Sequence, residues 1–156
     1  DRIVTVSGDA VHEPGNFKAP FGMNQAELIE AAGGYKVDPE KIISGGPMMG
    51  FSMFTVDVPV TKTSSSILCF TKDEVAQYEP TACINCGRCV EVCPSRLIPS
   101  RLADYAEHHD EEAFTKHEGL ECMECGSCSY VCPAKRQLKQ AIGSMRKTAL
   151  ANRKKK

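Results

Sequence analysis

Eight of the nine cysteines fall between Cys83 and Cys132, in two copies of one spacing. The first copy is Cys83, Cys86, Cys89 and Cys93 followed by Pro94; the second is Cys122, Cys125, Cys128 and Cys132 followed by Pro133. Both read C-x2-C-x2-C-x3-C-P, the run that holds [4Fe–4S] clusters in bacterial ferredoxin domains. Three thiolates on one tight loop can each reach a different iron of a cube. The fourth iron needs a ligand from elsewhere, and the proline turns the chain away after the last cysteine. In two-cluster domains the fourth cysteine of each run ligates the other cluster. Cys83, Cys86, Cys89 and Cys132 are therefore expected on one cluster, and Cys122, Cys125, Cys128 and Cys93 on the second. Gly87, Gly126 and Ser127 beside the thiolates are expected to leave room for backbone N–H groups, whose bonds to sulfur tune potential.

The main rival is zinc held tetrahedrally by four thiolates, in a structural interaction module. Zinc does not account for the third cysteine of each triplet or for the duplicated Cys-Pro. Disulfides fit poorly as well, because two-residue gaps suit metal ligation and thiolate clusters persist best in a reducing compartment. Cys69 stands apart in Ile67-Leu68-Cys69-Phe70 and reads as a small buried hydrophobe. His12, His108, His109 and His117 share no spacing that suggests a relay or a metal site.

A chain of 156 residues, 42% hydrophobic and 25% charged, can hold one medium or two small soluble domains. No apolar run approaches the roughly 18 residues that a membrane span needs. No charged-then-apolar leader opens the sequence, and its start at Asp1 suggests a fragment or a processed form. Charge is unevenly spread. Residues 1–80 carry 6 basic and 11 acidic side chains, a net of −5, and residues 81–132 carry 4 and 9, again −5. From Pro133 onward there are 9 Lys/Arg and no acid. By charge alone such an end can touch nucleic acid, an anionic lipid surface or an acidic partner, and a solvated end with some helix accounts for it equally well; of these a membrane surface is the partner expected, and nucleic acid is not.

The N-terminal part reads as a small mixed domain. Ile3 to Val6 is a strand candidate, and Asn16 to Ala19 a second. Asn24 with Glu27 forms a capping-box signature ahead of Leu28, Ile29, Ala31 and Ala32, and Gly33-Gly34 stops that helix. Lys41 to Ser44 and Phe51 to Val58 are further strand candidates around the turn Gly45-Gly46-Pro47-Met48-Met49-Gly50. That turn lacks the Lys-Ser/Thr of a phosphate loop. No nucleotide-binding signature appears, so the residues can carry electrons but offer no place to accept hydride. The order strand, strand, helix, strand, strand is that of a β-grasp domain. Thr71 to Thr81 reads as a connector. Beyond it, Ser100 is expected to cap a helix Arg101–His108, and Asp110 a helix Glu111–His117 ended by Gly119. Leu102, Tyr105, Ala106, Ala113 and Phe114 are expected to face the clusters. A last helix, Ala134 to about Asn152, lines up Leu138, Ile142, Met145 and Ala149.

Three stretches together resemble one family. They are Val4-Thr5-Val6-Ser7-Gly8-Asp9-Ala10-Val11 with Pro14-Gly15-Asn16, Ser44 through Gly50, and Glu121-Cys122 through Cys132-Pro133. They are similar to the C subunit of the Rnf electron-transport complex, over nearly the whole chain to about residue 150. The resemblance implies an α+β architecture: a β-grasp domain of the SLBB type at residues 1–72, a linker at 73–81, a mainly helical dicluster ferredoxin domain at 82–150 and a basic tail at 151–156. It implies electron transfer through two [4Fe–4S] clusters in a complex that couples ferredoxin and NAD electron flow to Na+ or H+ translocation. It also implies a peripheral position on the cytoplasmic side of the cell membrane, with other subunits of a membrane redox complex as partners. In the family a flavin- and NADH-binding domain precedes the β-grasp region, so FMN and NAD(H) belong to that upstream domain, absent from this sequence. The alternative within redox chemistry is a related soluble flavin/iron–sulfur reductase, such as a cobalamin reductase, whose cysteine pattern could be identical. The family often carries glycines where this chain has Val60-Thr61-Lys62-Thr63-Ser64-Ser65-Ser66, and a changed turn is expected there.

Overall fold

Val4 and Val6 are fully buried while Ile3 is 58% exposed, the period-two pattern of a half-covered strand. This strand, β1 (Arg2–Ser7), pairs antiparallel with β2 (Gly15–Ala19). The capping box forms as expected. Asn24 accepts the Ala26 N–H at 2.9 Å and Glu27 accepts the Asn24 N–H at 3.4 Å, opening α1 (Gln25–Ala31). Gly33 and Gly34 follow it in left-handed conformations, at φ 80° and 74°. Leu28 and Ile29 press α1 onto the sheet. In this computed structural model, which describes residues 1–154, these elements belong to the first of two units, Asp1–Gln77; the second runs from Tyr78 onward.

β3 (Lys41–Ser44) pairs antiparallel with β4 (Phe51–Met53), and β5 (Ser66–Phe70) completes a five-stranded sheet of order β2-β1-β5-β3-β4. β5 runs parallel to β1 and antiparallel to β3. This is a β-grasp sheet with a helix on one face. Two details differ from the expectation. The expected order has four strands, yet Ile67–Phe70 is the central one, with Ile67 and Cys69 buried between its neighbours. The strand expected over 51–58 ends at Met53, and the chain beyond it turns to serve α1, with Pro59 bridging Asn24. Val58 accepts the Gln25 N–H and Val60 the Gly22 N–H. The Val60–Ser66 segment is a tight turn in which the Ser64 hydroxyl accepts the Thr61 N–H at 3.0 Å.

Gly8 sits where β1 leaves the sheet, at φ 118°, and a Cβ there would lie 1.9 Å from the Cys69 carbonyl oxygen. Backbone cannot yield cheaply, so Gly8→Ala is expected to destabilise this unit by about 3 kcal/mol or more. Thermal denaturation of the variant, following the first unit's transition, checks it.

The second unit is built twice. Cys122 follows Cys83 by 39 residues, and the same step carries α2 (Arg88–Glu91) onto α5 (Ser127–Tyr130). It also carries the start of α3 (Pro99–Glu107) onto the start of α6 (Leu138–Arg153). Backbone strain repeats in register: Asn85 and Glu124 lie at φ 54° and 55°, Arg96 and Lys135 both at 54°. Between the copies lie α4 (Glu111–Lys116) and a 3-10 turn, Gly119–Glu121. Asp110 caps α4 by accepting the Ala113 N–H. The core joins Leu102, Phe114, Leu138 and Ile142, each at most 2% exposed, with Met145 and Ala149 continuing the stripe along α6.

Several helix limits need correcting. Ser100 is not a cap: Pro99 occupies the first turn of α3, where its missing N–H costs nothing. Residues 134–137 are not helical, because Lys135 is left-handed and ends the Cys-Pro turn before α6 can start. Gly119 does not stop α4, which closes at His117 and the left-handed Glu118. It is small because a Cβ would lie 2.5 Å from the Phe114 ring. Of the residues expected to face the clusters, Ala106 and Phe114 pack in the core instead. The expected tail at 151–156 begins inside α6, and Lys155 and Lys156 lie outside the described residues.

Candidate metal centres

The first two cysteines of each triplet lie on a loop shaped by two left-handed residues, and the third lies in the short helix that the loop opens. In the first loop the left-handed residues are Asn85 and Gly87, in the second Glu124 and Gly126. The loops wrap back on themselves and then feed directly into α2 and α5, with Gly87 and Gly126 as N-caps at φ 77° and 84°. Gly87 serves that conformation rather than giving room. A Cβ on Gly87 would meet nothing within 4 Å. The Cys-Pro turns after Cys93 and Cys132 send the chain into α3 and α6.

Packing of α3 on α6 brings each fourth cysteine to the opposite loop. One cavity is lined by Cys83, Cys86, Cys89 and Cys132, and another by Cys122, Cys125, Cys128 and Cys93. Four thiols lining one cavity are a donor set that a polynuclear iron–sulfur group takes. The donors present therefore fit such clusters.

The two cavities differ in exposure. Cys83 and Cys86 are exposed and Cys89 and Cys132 half-buried; Cys93, Cys122 and Cys125 are half-buried and Cys128 is buried. As free thiols they respond accordingly. Burial pushes Cys128 up to about 11 and raises Cys122, against which the Glu124 N–H works. The Ser127 hydroxyl holds Cys125 below the usual thiol range. Backbone N–H groups of Leu97 and Glu124 donate to the sulfurs of Cys93 and Cys122 at 3.3 and 3.4 Å. Cys69 is buried in the sheet of the other unit, where burial pushes it up to about 11. The histidine rings of His108 and His117 bond to backbone carbonyls one helical turn earlier.

Charge around the cavities was not legible from the cysteine spacing. Arg136 lines the first cavity with its side chain 11% exposed, and bonds Asp104 at 2.8 Å and Glu107 at 3.0 Å on α3. Burial works against its charge, but these two carboxylates more than offset that and hold it protonated. Glu124 lines the second cavity and pairs with Arg146 of α6 at 3.3 Å.

Residues 3–52 match the SLBB domain family, and residues 82–136 the 4Fe-4S dicluster domain family. The chain is 42% identical to the C subunit of the Na(+)-translocating ferredoxin:NAD(+) oxidoreductase complex of Acetobacterium woodii, over 99% of its own length. It is 46% identical over 65% of its length to the C subunit of the proton-translocating ferredoxin:NAD(+) oxidoreductase complex of Clostridium ljungdahlii. Over 75% of its length it is 40% identical to the C subunit of the ion-translocating oxidoreductase complex of Yersinia enterocolitica. The chain belongs to this family of C subunits. It spans 35%, 22% and 17% of those three relatives. Within the family, then, it represents an SLBB β-grasp domain followed by a dicluster iron–sulfur domain.

Proposed function

We propose that this chain is the electron-relay segment of an ion-translocating ferredoxin:NAD oxidoreductase complex, with two [4Fe–4S] clusters as its working groups. Cys83, Cys86, Cys89 and Cys132 hold one, and Cys122, Cys125, Cys128 and Cys93 the other. The observation that carries the reading is the pair of four-thiol cavities, each completed by the fourth cysteine of the opposite run. Bound there, the clusters supply one-electron transfer, and the cysteines serve as ligands, not nucleophiles. The residues do the rest. The left-handed loops and the short helices they open hold three sulfurs apart, the crossed cysteines lock the halves together, and the core on Leu102 and Ile142 keeps water from one side.

The wider assignment follows the relatives. The partners are other subunits of a membrane redox complex, and FMN and NAD(H) bind outside these residues. Among the described residues no helix is long and apolar enough to cross a membrane. The segment sits on the cytoplasmic side as a peripheral part, where the acid-free stretch from Pro133 meets an anionic surface. Its organisation is a β-grasp domain at 1–72, a linker at 73–81 and the cluster domain at 82–150.

Anaerobic purification followed by metal and sulfide analysis tests the core of this reading. The expected result is about eight iron and eight sulfide per chain. About two zinc per chain and no sulfide would sink the relay and leave a zinc-stabilised module.

A further inference from the structure

The 39-residue step that superposes the two cysteine runs does not superpose the charges beside them. Arg136 in the first cavity takes the place that Leu97 has in the second, and both line their cavities. Conversely Glu124, in the second cavity, stands at the position of Asn85 in the first. Their helical partners change with them. Arg136 pairs with Asp104 and Glu107, whose counterparts on α6 are Gly143 and Arg146; Arg146 is the partner of Glu124. Even the small residue fits, since a Cβ on Gly143 would lie 2.9 Å from a Glu124 carboxylate oxygen. The helix position shared by Glu107 and Arg146 therefore joins an ion pair in each half with opposite charge, although the loop partners Arg136 and Glu124 stand at different positions of the repeat. The wall of the first cavity carries two cations, Arg88 and Arg136, and no carboxylate, whereas that of the second carries Glu124 against Lys139.

Resting on the cluster-binding reading, we infer that this difference in charge makes the two clusters unequal, with Arg136 holding the Cys83-side cluster at the higher reduction potential and Glu124 holding the Cys122-side cluster at the lower. Reduction adds a negative charge, which a nearby cation favours and a nearby anion opposes. The screening is unequal within each pair. Arg136 is 11% exposed while Asp104 and Glu107 are each 51% exposed and screened by water. The second pair is more evenly shielded, Glu124 at 23% and Arg146 at 31%, so only the nearer partner decides its sign. Exposure acts in the same direction, because Cys83 and Cys86 are open to solvent and Cys128 is buried. The N–H bonds to Cys93 and Cys122 act the other way. They are partial charges at ordinary N–H···S distances, and a full charge in a shielded wall outweighs them. An electron entering the chain thus settles on the Cys83 side, next to the exposed sulfurs.

The test is a redox titration of the full chain carrying both clusters, followed by electron paramagnetic resonance. Arg136→Leu copies the second half and is expected to lower the upper midpoint potential alone, by about tenfold in the reduced-to-oxidised ratio, equivalent to about 59 mV for one electron. Arg136→Lys keeps the charge and is expected to restore most of it. Glu124→Gln is expected to raise the lower potential alone by a similar factor. Should Arg136→Leu fail to fold, the Glu124→Gln and Arg136→Lys results still decide. Potentials that stay within twofold, move together, or move with the two assignments exchanged would overturn the inference. Those results leave the relay reading intact, whereas an unmodified chain without iron and sulfide would refute that reading itself.

Discussion

Replacing Cys93 with alanine is expected to remove the cluster of the other triplet, halving iron from about eight to about four per chain. A single substitution cannot by itself say which cluster was lost, but pairs can. With crossed ligation, Cys93 and Cys125 serve one cluster, so Cys93→Ala with Cys125→Ala leaves about four irons. Cys93→Ala with Cys86→Ala strikes both clusters and leaves almost none. If each run served its own cluster, the two double variants would exchange results. The cavities favour the first pattern, since Cys93 stands with Cys122, Cys125 and Cys128 while Cys132 stands with Cys83, Cys86 and Cys89. Cys132→Ala is the mirror case. Its iron content should match that of Cys93→Ala, with the opposite cluster retained.

What the cysteines say is legible because their spacing is local. Three cysteines two residues apart must share one tight loop and the first turn of the helix after it, and that loop needs left-handed residues close by. The capping box at Asn24 is legible for the same reason: its bonds join neighbours. The central strand β5 was not, because Ile67-Leu68-Cys69-Phe70 takes its role from β1 and β3, far away along the chain. The strand after Phe51 is shorter than its apolar run suggests, because such a run has no means of saying that Val58 and Val60 turn their carbonyls to α1 and the residues before it instead of to a neighbouring strand. Arg136 and Glu124 were missed for a third reason. Each looks like an ordinary surface charge until the 39-residue repeat is laid over itself and the packed helices supply its partner. A signal was present: Arg136 falls three residues after the proline of its Cys-Pro turn, where the other copy has Leu97.

Stripping the iron from the chain is expected to unfold the second unit outright. Its helices α2 and α5 have four residues each, far below the roughly 12–15 that an isolated helix needs even in favourable sequences. Their loops hold Asn85, Glu124, Arg96 and Lys135 at positive φ, a conformation that costs these residues about 1 kcal/mol or more apiece. The core is small, and cysteine is part of it. Cys128 belongs to the buried cluster, and Cys89, Cys93, Cys122 and Cys132 pack against it. Without metal those sulfurs lose the bonds that fix their loops. Structural metal contributes on the order of 10 kcal/mol in small thiolate domains, comparable with the whole stability of about 5–15 kcal/mol that a domain has. Even a loss of about 5 kcal/mol would lower the melting temperature of a unit this size by about 20–40 °C. The first unit has its own core on Val4, Val6, Leu28 and Ile67 and shares none of these ligands. Chelation under air should therefore abolish one thermal transition and much of the helical circular dichroism while the β-grasp transition persists. Identical melting curves with and without iron would mean that protein packing alone holds the cysteine loops, and that the clusters are guests in a preformed frame.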